Sequence, residues 1–145
     1  MEPDGDIGTL SLGDIVDRQA LQSMMEDFYR VQKVSSAILD VSGTVLVTVG
    51  WQDICRNFHR AHPETCKNCR ESDIALTSGV RPGTFRTYQC KNNMWDMVPP
   101  IVVGGRHLGN IFLGQFFYAD HPPDRELFRI RARQYGFDET EYLAA

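Results

Sequence analysis

Apolar residues recur with the period of an α-helix near the start of the chain. Their spacing of i, i+3, i+4, i+7 and i+10 defines one face and predicts a helix from about residue 17 to 32. Asp14 or Asp17 can cap it by accepting a backbone N–H. This face suits the domain's own core, and a homodimer contact through the same helix is our second prediction for it. The face comprises Leu21, Met24, Met25, Phe28 and Val31.

The pattern then changes to short β-type runs. Residues 35–41 and 44–49 read as two strands of a hairpin, with Gly43 in the turn free to take positive φ. Residues 52–61 turn helical again, Pro63 should interrupt this helix, and a further helix is expected over 65–77. The first of these helices would place on one face Cys55, Phe58, His59 and His62.

A second group of strands follows. Residues 85–90, 95–103 and 108–118 predict a three-stranded antiparallel meander. Pro99 and Pro100 remove two backbone donors, so the middle strand should lie at an edge or carry a bulge. We expect helices over residues 128–137 and after Asp138.

This order predicts an α+β, PAS-like fold. It has an antiparallel sheet of about five strands, helices on one side and an N-terminal helix. Residues 1–13 contain three glycines, a proline and acidic residues, and read as a flexible leader. Residues 14–145 then form a single domain.

The charge pattern excludes several classes of protein. The net charge of −4 is spread without blocks of one sign, which argues against nucleic acid and against membrane contact. There is no signal peptide, so we expect a cytoplasmic domain with reduced thiols. No phosphate loop, nucleophile elbow or other catalytic constellation is present, and we therefore predict no enzyme activity.

The cysteines are the first candidates for chemistry. Their spacing is C-x10-C-x2-C-x20-C, and the central pair is half of a common tetrahedral zinc site. Three interpretations stay open, namely a bound zinc ion, redox switching, and buried thiols that line a pocket. The predicted metal ligands are Cys55, Cys66, Cys69 and Cys90.

A pocket is the second candidate site. Trp95 could form one wall of it, and Gln115 is an amide among apolar neighbours that needs a partner, either a ligand or the protein's own backbone. Gly114 beside it permits a bulge. The segment from Arg70 to Asp73 reads as a solvated helix start. The predicted ligand-binding residues are Trp51, Cys55, Phe58, Tyr88, Cys90, Trp95, Phe112 and Gln115.

Several of these segments together resemble the PocR sensory domain. The resemblance covers about residues 10–143 and rests on Ile54–Cys66, on Cys69-Arg-Glu-Ser-Asp73, on Tyr88-Gln-Cys90-Lys-Asn, on Trp95-Asp96 and on Pro100–Phe117. The version here looks most like PocR domains at the front of sensor histidine kinases and related two-component signalling proteins. Cys69 is particular to this version, and Pro99 replaces the polar residue expected there.

The resemblance implies a variant PAS fold and a non-catalytic input module. Such a module would bind a small organic molecule, such as a diol or another simple hydrocarbon derivative, and would signal to an output domain beyond this chain. The alternative is a cysteine module that senses metal or redox state. A closed cavity with a few polar groups would favour the first reading, and clustered thiol sulfurs would favour the second.

Overall fold

The structure, a computed structural model, describes residues 8–75 and 77–145. Its five α-helices are α1 (Leu12–Ile15), α2 (Arg18–Gln32), α3 (Pro63–Ala75), α4 (Arg125–Tyr135) and α5 (Glu139–Ala144). A π-helical turn spans Ile54–His59. The strands are β1 (Ser36–Asp40), β2 (Val45–Val49), β3 (Arg86–Gln89), β4 (Trp95–Val98), β5 (Pro100–Val103) and β6 (Arg106–Phe116). No helix in the described ranges is long and apolar enough to cross a membrane.

One antiparallel sheet organises the domain, in the strand order β2-β1-β6-β4-β3. The predicted α+β, PAS-like fold is confirmed. The predicted strand over residues 95–103 is split, because Pro99 cannot donate to the ladder. Its carbonyl instead accepts the N–H of Ile111 at 3.1 Å. The two halves, β4 and β5, both pair with the long strand β6, so only β5 is confined to an edge.

Helix α2 covers one face of the sheet. Asp17 caps it by accepting the N–H of Ala20 at 3.0 Å, as predicted. Met25 is buried among side chains from β1, β2 and β6, and Leu21 packs against the same cluster. The side chain of Gln22 both donates to and accepts from the backbone of Thr48 on the edge strand β2.

The predicted apolar face of α2 divides into two parts. Met24, Phe28 and Val31 are 60%, 51% and 77% exposed, so the interpretation of the whole face as core is wrong. The packed line is Leu21, Met25 and Tyr29, which lie four residues apart on the side that meets the sheet. The homodimer contact through the exposed part stays a prediction.

The opposite face of the sheet carries a second apolar layer and supports the remaining helices. Ala37, Leu39, Tyr88, Val98 and Phe112 form this layer. A third cluster joins the π-helical turn to α4 and α5. Its buried members are Cys55, Met94, Phe128, Ala132 and Tyr142.

The segment predicted as a leader contributes to the core. Its residues 1–7 lie outside the described residues, but Leu12 is only 2% exposed and packs against Met25, Ile38 and Leu108. Gly109 explains how α1 can come so close to the sheet. A Cβ at Gly109 would lie 2.6 Å from Leu12 and 2.3 Å from the carbonyl oxygen of Leu39.

Replacing Leu12 tests whether α1 belongs to the folded unit. Leu12→Ala should lower the free energy of unfolding by about 2–5 kcal/mol, because it leaves a cavity in a packed cluster. Leu10→Ala is the matched control, since Leu10 is 46% exposed and should change the value by less than about 0.5 kcal/mol. Urea denaturation measures both. Equal, small effects would show that α1 is not part of the core.

Candidate ligand-binding site

A π-helical turn places two neighbouring side chains in different clusters. The predicted α-helix over residues 52–61 is wrong in type, because the N–H of Arg60 donates to the carbonyl of Cys55, five residues earlier, at 2.9 Å. His59 is buried against the C-terminal helices, while Arg60 reaches the face of the sheet. Pro63 interrupts the turn as predicted and is the first residue of α3, where its missing N–H costs nothing.

Arg60 forms a shielded ion pair with Asp73 of α3. Its Nη2 lies 2.7 Å from Asp73 Oδ2, and its guanidinium stacks over the Trp51 ring at 4.8 Å from the ring centroid. The Tyr88 hydroxyl lies 3.5 Å from the other oxygen of Asp73. Burial raises the pKa of Asp73, although Arg60 acts against that shift. The interpretation of residues 70–73 as a solvated helix start is therefore wrong for Ser72 and Asp73, which are both buried.

Asp96 brings a second carboxyl group to the same place. It lies opposite Tyr88 in the β3–β4 register and is 9% exposed. Its Oδ1 accepts the backbone N–H of Gln115 at 3.2 Å. Burial raises the pKa of Asp96 to about 7, and the negative charge of Asp73 adds to this shift.

A β-bulge in β6 positions the backbone N–H of Gln115, which donates to Asp96. Trp95 pairs with Phe116 and Asp96 pairs with Gly114, so Gln115 is the extra residue and has a positive φ of 66°. The sequence indicated only that Gly114 permits a bulge, and the structure has one at this position. Gln115 therefore leaves the strand alternation expected from the sequence, and its side-chain Oε1 accepts the backbone N–H of Gln52 at 2.7 Å. The partner of this amide is thus the protein's own backbone.

These groups surround a small cavity of about 30 Å³ on the second face of the sheet. Three predicted ligand-binding residues line it, namely Trp51, Phe112 and Gln115. Sequence reasoning missed the charged members, because no local pattern indicates that residues 60, 73 and 96 meet. The full lining is Ser35, Ser36, Leu39, Trp51, Arg60, Asp73, Asp96, Phe112, Gly114 and Gln115.

The other predicted pocket residues lie around this cavity or away from it. Tyr88 packs edge-on against Phe112 and touches Asp73. Cys55 and Phe58 belong to the cluster under the C-terminal helices, and Cys90 packs against both that cluster and the apolar layer on the second face of the sheet. Trp95 packs against Tyr118, with ring centroids 5.1 Å apart, and faces a separate surface groove.

The four thiols are free and occupy unequal environments. Cys55 and Cys69 are buried, and burial raises the pKa of Cys69 to about 12. Burial also raises the pKa of Cys55, and the nearby thiols of Cys90 and Cys69 contribute to that shift. Cys66 instead lines a surface groove along α3. In the part of the chain that the structure describes, no group of three or more His, Cys, Asp or Glu side chains could hold a metal ion. The zinc site stays a prediction.

Two buried polar contacts tie the site to the C-terminal helices. His59 Nε2 lies 2.7 Å from the hydroxyl of Tyr142 in α5. Asn92, fully buried in the β3–β4 turn, donates to the carbonyl of Thr65 at 2.8 Å and to Cys69 Sγ at 3.1 Å. Its oxygen accepts Nη1 of Arg131 in α4 at 3.0 Å.

A larger open groove of about 290 Å³ lies beside these contacts. It is bordered by Ile54 of the π-helical turn, by Phe128 of α4 and by Tyr142 of α5. Gln115 lines both this groove and the small cavity, so its bulge separates the two. The buried charged side chains therefore line the small cavity and not the larger groove.

The fold is that of a PAS-like α+β domain, with a small cavity lined by charged side chains on the second face of its sheet. The family model described as "Sensory domain found in PocR" matches residues 14–145. The chain belongs to this family of sensory domains. No curated protein and no solved structure matches it.

The buried His59 should make the stability depend on pH. Burial lowers the pKa of His59 to about 4, and the positive charge of Arg131 adds to this effect. In the unfolded chain the ring titrates near 6.5, so between pH 6.5 and 4 only the unfolded state binds this proton. The free energy of unfolding should therefore decrease by up to about 3 kcal/mol as the pH falls from 6.5 to 4.

His59→Gln should remove that contribution, and His121→Gln is the control because its ring is exposed. Urea denaturation at several pH values measures the slope. An unchanged slope in His59→Gln would show that His59 is not held neutral by the fold.

Proposed function

We propose that this domain is a non-catalytic sensory input module that binds a small organic ligand in the cavity between the sheet and α3. The observation that carries the proposal is the convergence of Arg60, Asp73 and Asp96 on one buried cavity. Buried charged groups are costly unless something pairs with them, and they concentrate at functional sites. Membership of a sensory family supports the same role.

The cavity suits a ligand better than the open groove does. Ligand sites combine apolar walls with a few convergent polar groups. Leu39 and Phe112 supply the walls, and the charged side chains supply the polar groups. At about 30 Å³ the cavity holds roughly two water molecules. A three-carbon ligand must therefore widen it, and binding is then linked to a movement of its walls.

The π-helical turn is the wall that can carry such a movement to the C-terminal helices. Arg60 lies at the cavity, and the residue before it, His59, bonds Tyr142 of α5. The Phe58 ring packs edge-on against Phe137 and Tyr142, at centroid distances of 5.4 and 5.2 Å. A shift of Arg60 would therefore displace α5, and we propose this route toward an output domain outside the chain.

The cysteine-based alternative has weaker support. Metal binding and oxidation both use the thiolate, and burial raises the pKa of Cys55, Cys69 and Cys90. Those thiols stay protonated near neutral pH. Zinc remains a proposal that depends on the metal itself lowering these pKa values.

Filling the cavity tests the proposed function. Leu39→Phe adds bulk to a wall residue and should weaken binding of propane-1,2-diol at least tenfold, because the ligand and the ring would compete for one space. Leu46→Phe on β2 is the matched control, since Leu46 packs on the other face of the sheet. Ligand titrations followed by NMR measure binding, after circular dichroism has confirmed folding.

Native mass spectrometry of the domain as purified looks for any other small molecule that it retains. Undiminished binding of diol by Leu39→Phe, or equal loss in both variants, would contradict the cavity as the site.

A further inference from the structure

The cavity holds one more carboxyl group than its single guanidinium pairs. It is lined by two carboxyl groups and one guanidinium. Arg60 already forms an ion pair with Asp73 at 2.7 Å and stacks over the Trp51 ring. Among the described residues, no basic nitrogen lies within 4 Å of the carboxyl oxygens of Asp96. That carboxyl receives only a backbone N–H from Gln115, at 3.2 Å.

A second lining residue also has an unpaired polar atom. Ser36 is 3% exposed, and its hydroxyl oxygen has no hydrogen-bond partner in the described structure. Buried polar atoms are nearly always paired, so an unpaired hydroxyl in the wall of a cavity marks a place where a bound molecule can supply the partner. This observation does not depend on the charge count.

We propose that Asp96 determines specificity at this cavity, because its carboxyl group is the acceptor that anchors a hydroxyl or ammonium donor of the ligand and disfavours ligands that carry a negative charge. The inference rests on the proposed function, because it names the chemistry of the same cavity. A donor satisfies the surplus carboxylate, and an ammonium also neutralises it. A carboxylate ligand would add a third negative charge beside Asp73 and Asp96, with only one guanidinium to balance them.

Asp96 also makes binding depend on pH. A carboxylate accepts two or more donors, whereas the protonated acid is itself a donor at one oxygen. Burial and the charge of Asp73 raise the pKa of Asp96 to about 7. The ionised fraction thus rises about tenfold between pH 6 and 8, and the affinity for a donor ligand should rise with it. The charged and titratable groups that face Asp96 are Asp73 of α3, Arg60 after the π-helical turn, Tyr88 and Cys90 at β3, and Cys55 of the turn.

The unpaired carboxylate should destabilise the empty domain. Its pKa is higher in the folded than in the unfolded chain, so the folded state binds the extra proton and stability falls as pH rises from about 4 to 7. Asp96→Asn keeps the shape and the acceptor for Gln115 but carries no charge. It should match the wild type at pH 4 and unfold at a higher temperature than the wild type at pH 8.

Three probes of similar size test the ligand class. They are propane-1,2-diol, 1-aminopropan-2-ol and lactate, which are neutral, cationic and anionic at pH 6–8. NMR titrations with the wild-type domain should show the diol and the amino alcohol binding about tenfold more tightly at pH 8 than at pH 6, with lactate weakest. Whichever of the two binds more tightly identifies the donor as hydroxyl or ammonium.

Asp96→Asn should remove the pH dependence and weaken both donor probes at least tenfold, while Asp120→Asn, whose side chain is exposed, should behave as wild type. Tightest binding of lactate, or no binding of the alcohol and the amine at pH 8, would overturn the ligand class. If Leu39→Phe abolishes diol binding and Asp96→Asn does not, the cavity is the site and the role of Asp96 is overturned. If a different retained molecule is lost in Leu39→Phe, the proposed function stands without this inference.

Discussion

The contact between Arg60 and Asp73 is the interaction on which the rest of the site depends. Removing either partner of such a buried pair would leave the other charge unpaired, which costs about 3–5 kcal/mol. The pair joins the end of the π-helical turn to the last turn of α3, and Trp51 covers it from one side. It therefore holds two helical segments over the sheet at a fixed distance. The cavity is the space left beneath that link.

The extra residue in the π-helical turn follows from the same requirement. The adjacent side chains of His59 and Arg60 have partners in different parts of the domain. His59 contacts Tyr142, whereas Arg60 contacts Asp73. The N–H of Arg60 bonds the carbonyl five residues back, which widens the turn. π-Helical turns depart from regular α-helical hydrogen bonding and are frequent at functional sites. In this domain the π-helical turn lies at the junction between the cavity and the C-terminal helices.

Local features could be predicted from the sequence because neighbouring residues determine them. The hairpin turn formed because the side chain of Asp40 accepts the N–H groups of Ser42 and Thr44, and Gly43 takes a φ of +85°. Asp17 and Asp138 cap helices where their positions indicated. The family motifs contained Asp73 and Asp96, yet no periodicity shows that residues from α3 and β4 meet across the sheet. The exposed side of α2 was missed for a similar reason, since spacing gives a helical face but not which half of it packs.

Burial acts in opposite directions on the two kinds of acid in this region, and this decides which of them can respond near neutral pH. A thiol starts with a pKa near 9, so burial moves Cys55 and Cys69 further from neutrality and leaves them protonated. A carboxyl group starts near 4, so the same desolvation brings Asp96 to about 7. In the structure the buried cysteines pack within the core, and Cys69 Sγ accepts a hydrogen bond from the side-chain amide of Asn92. In our proposal, the group whose charge a ligand or a proton changes is therefore Asp96.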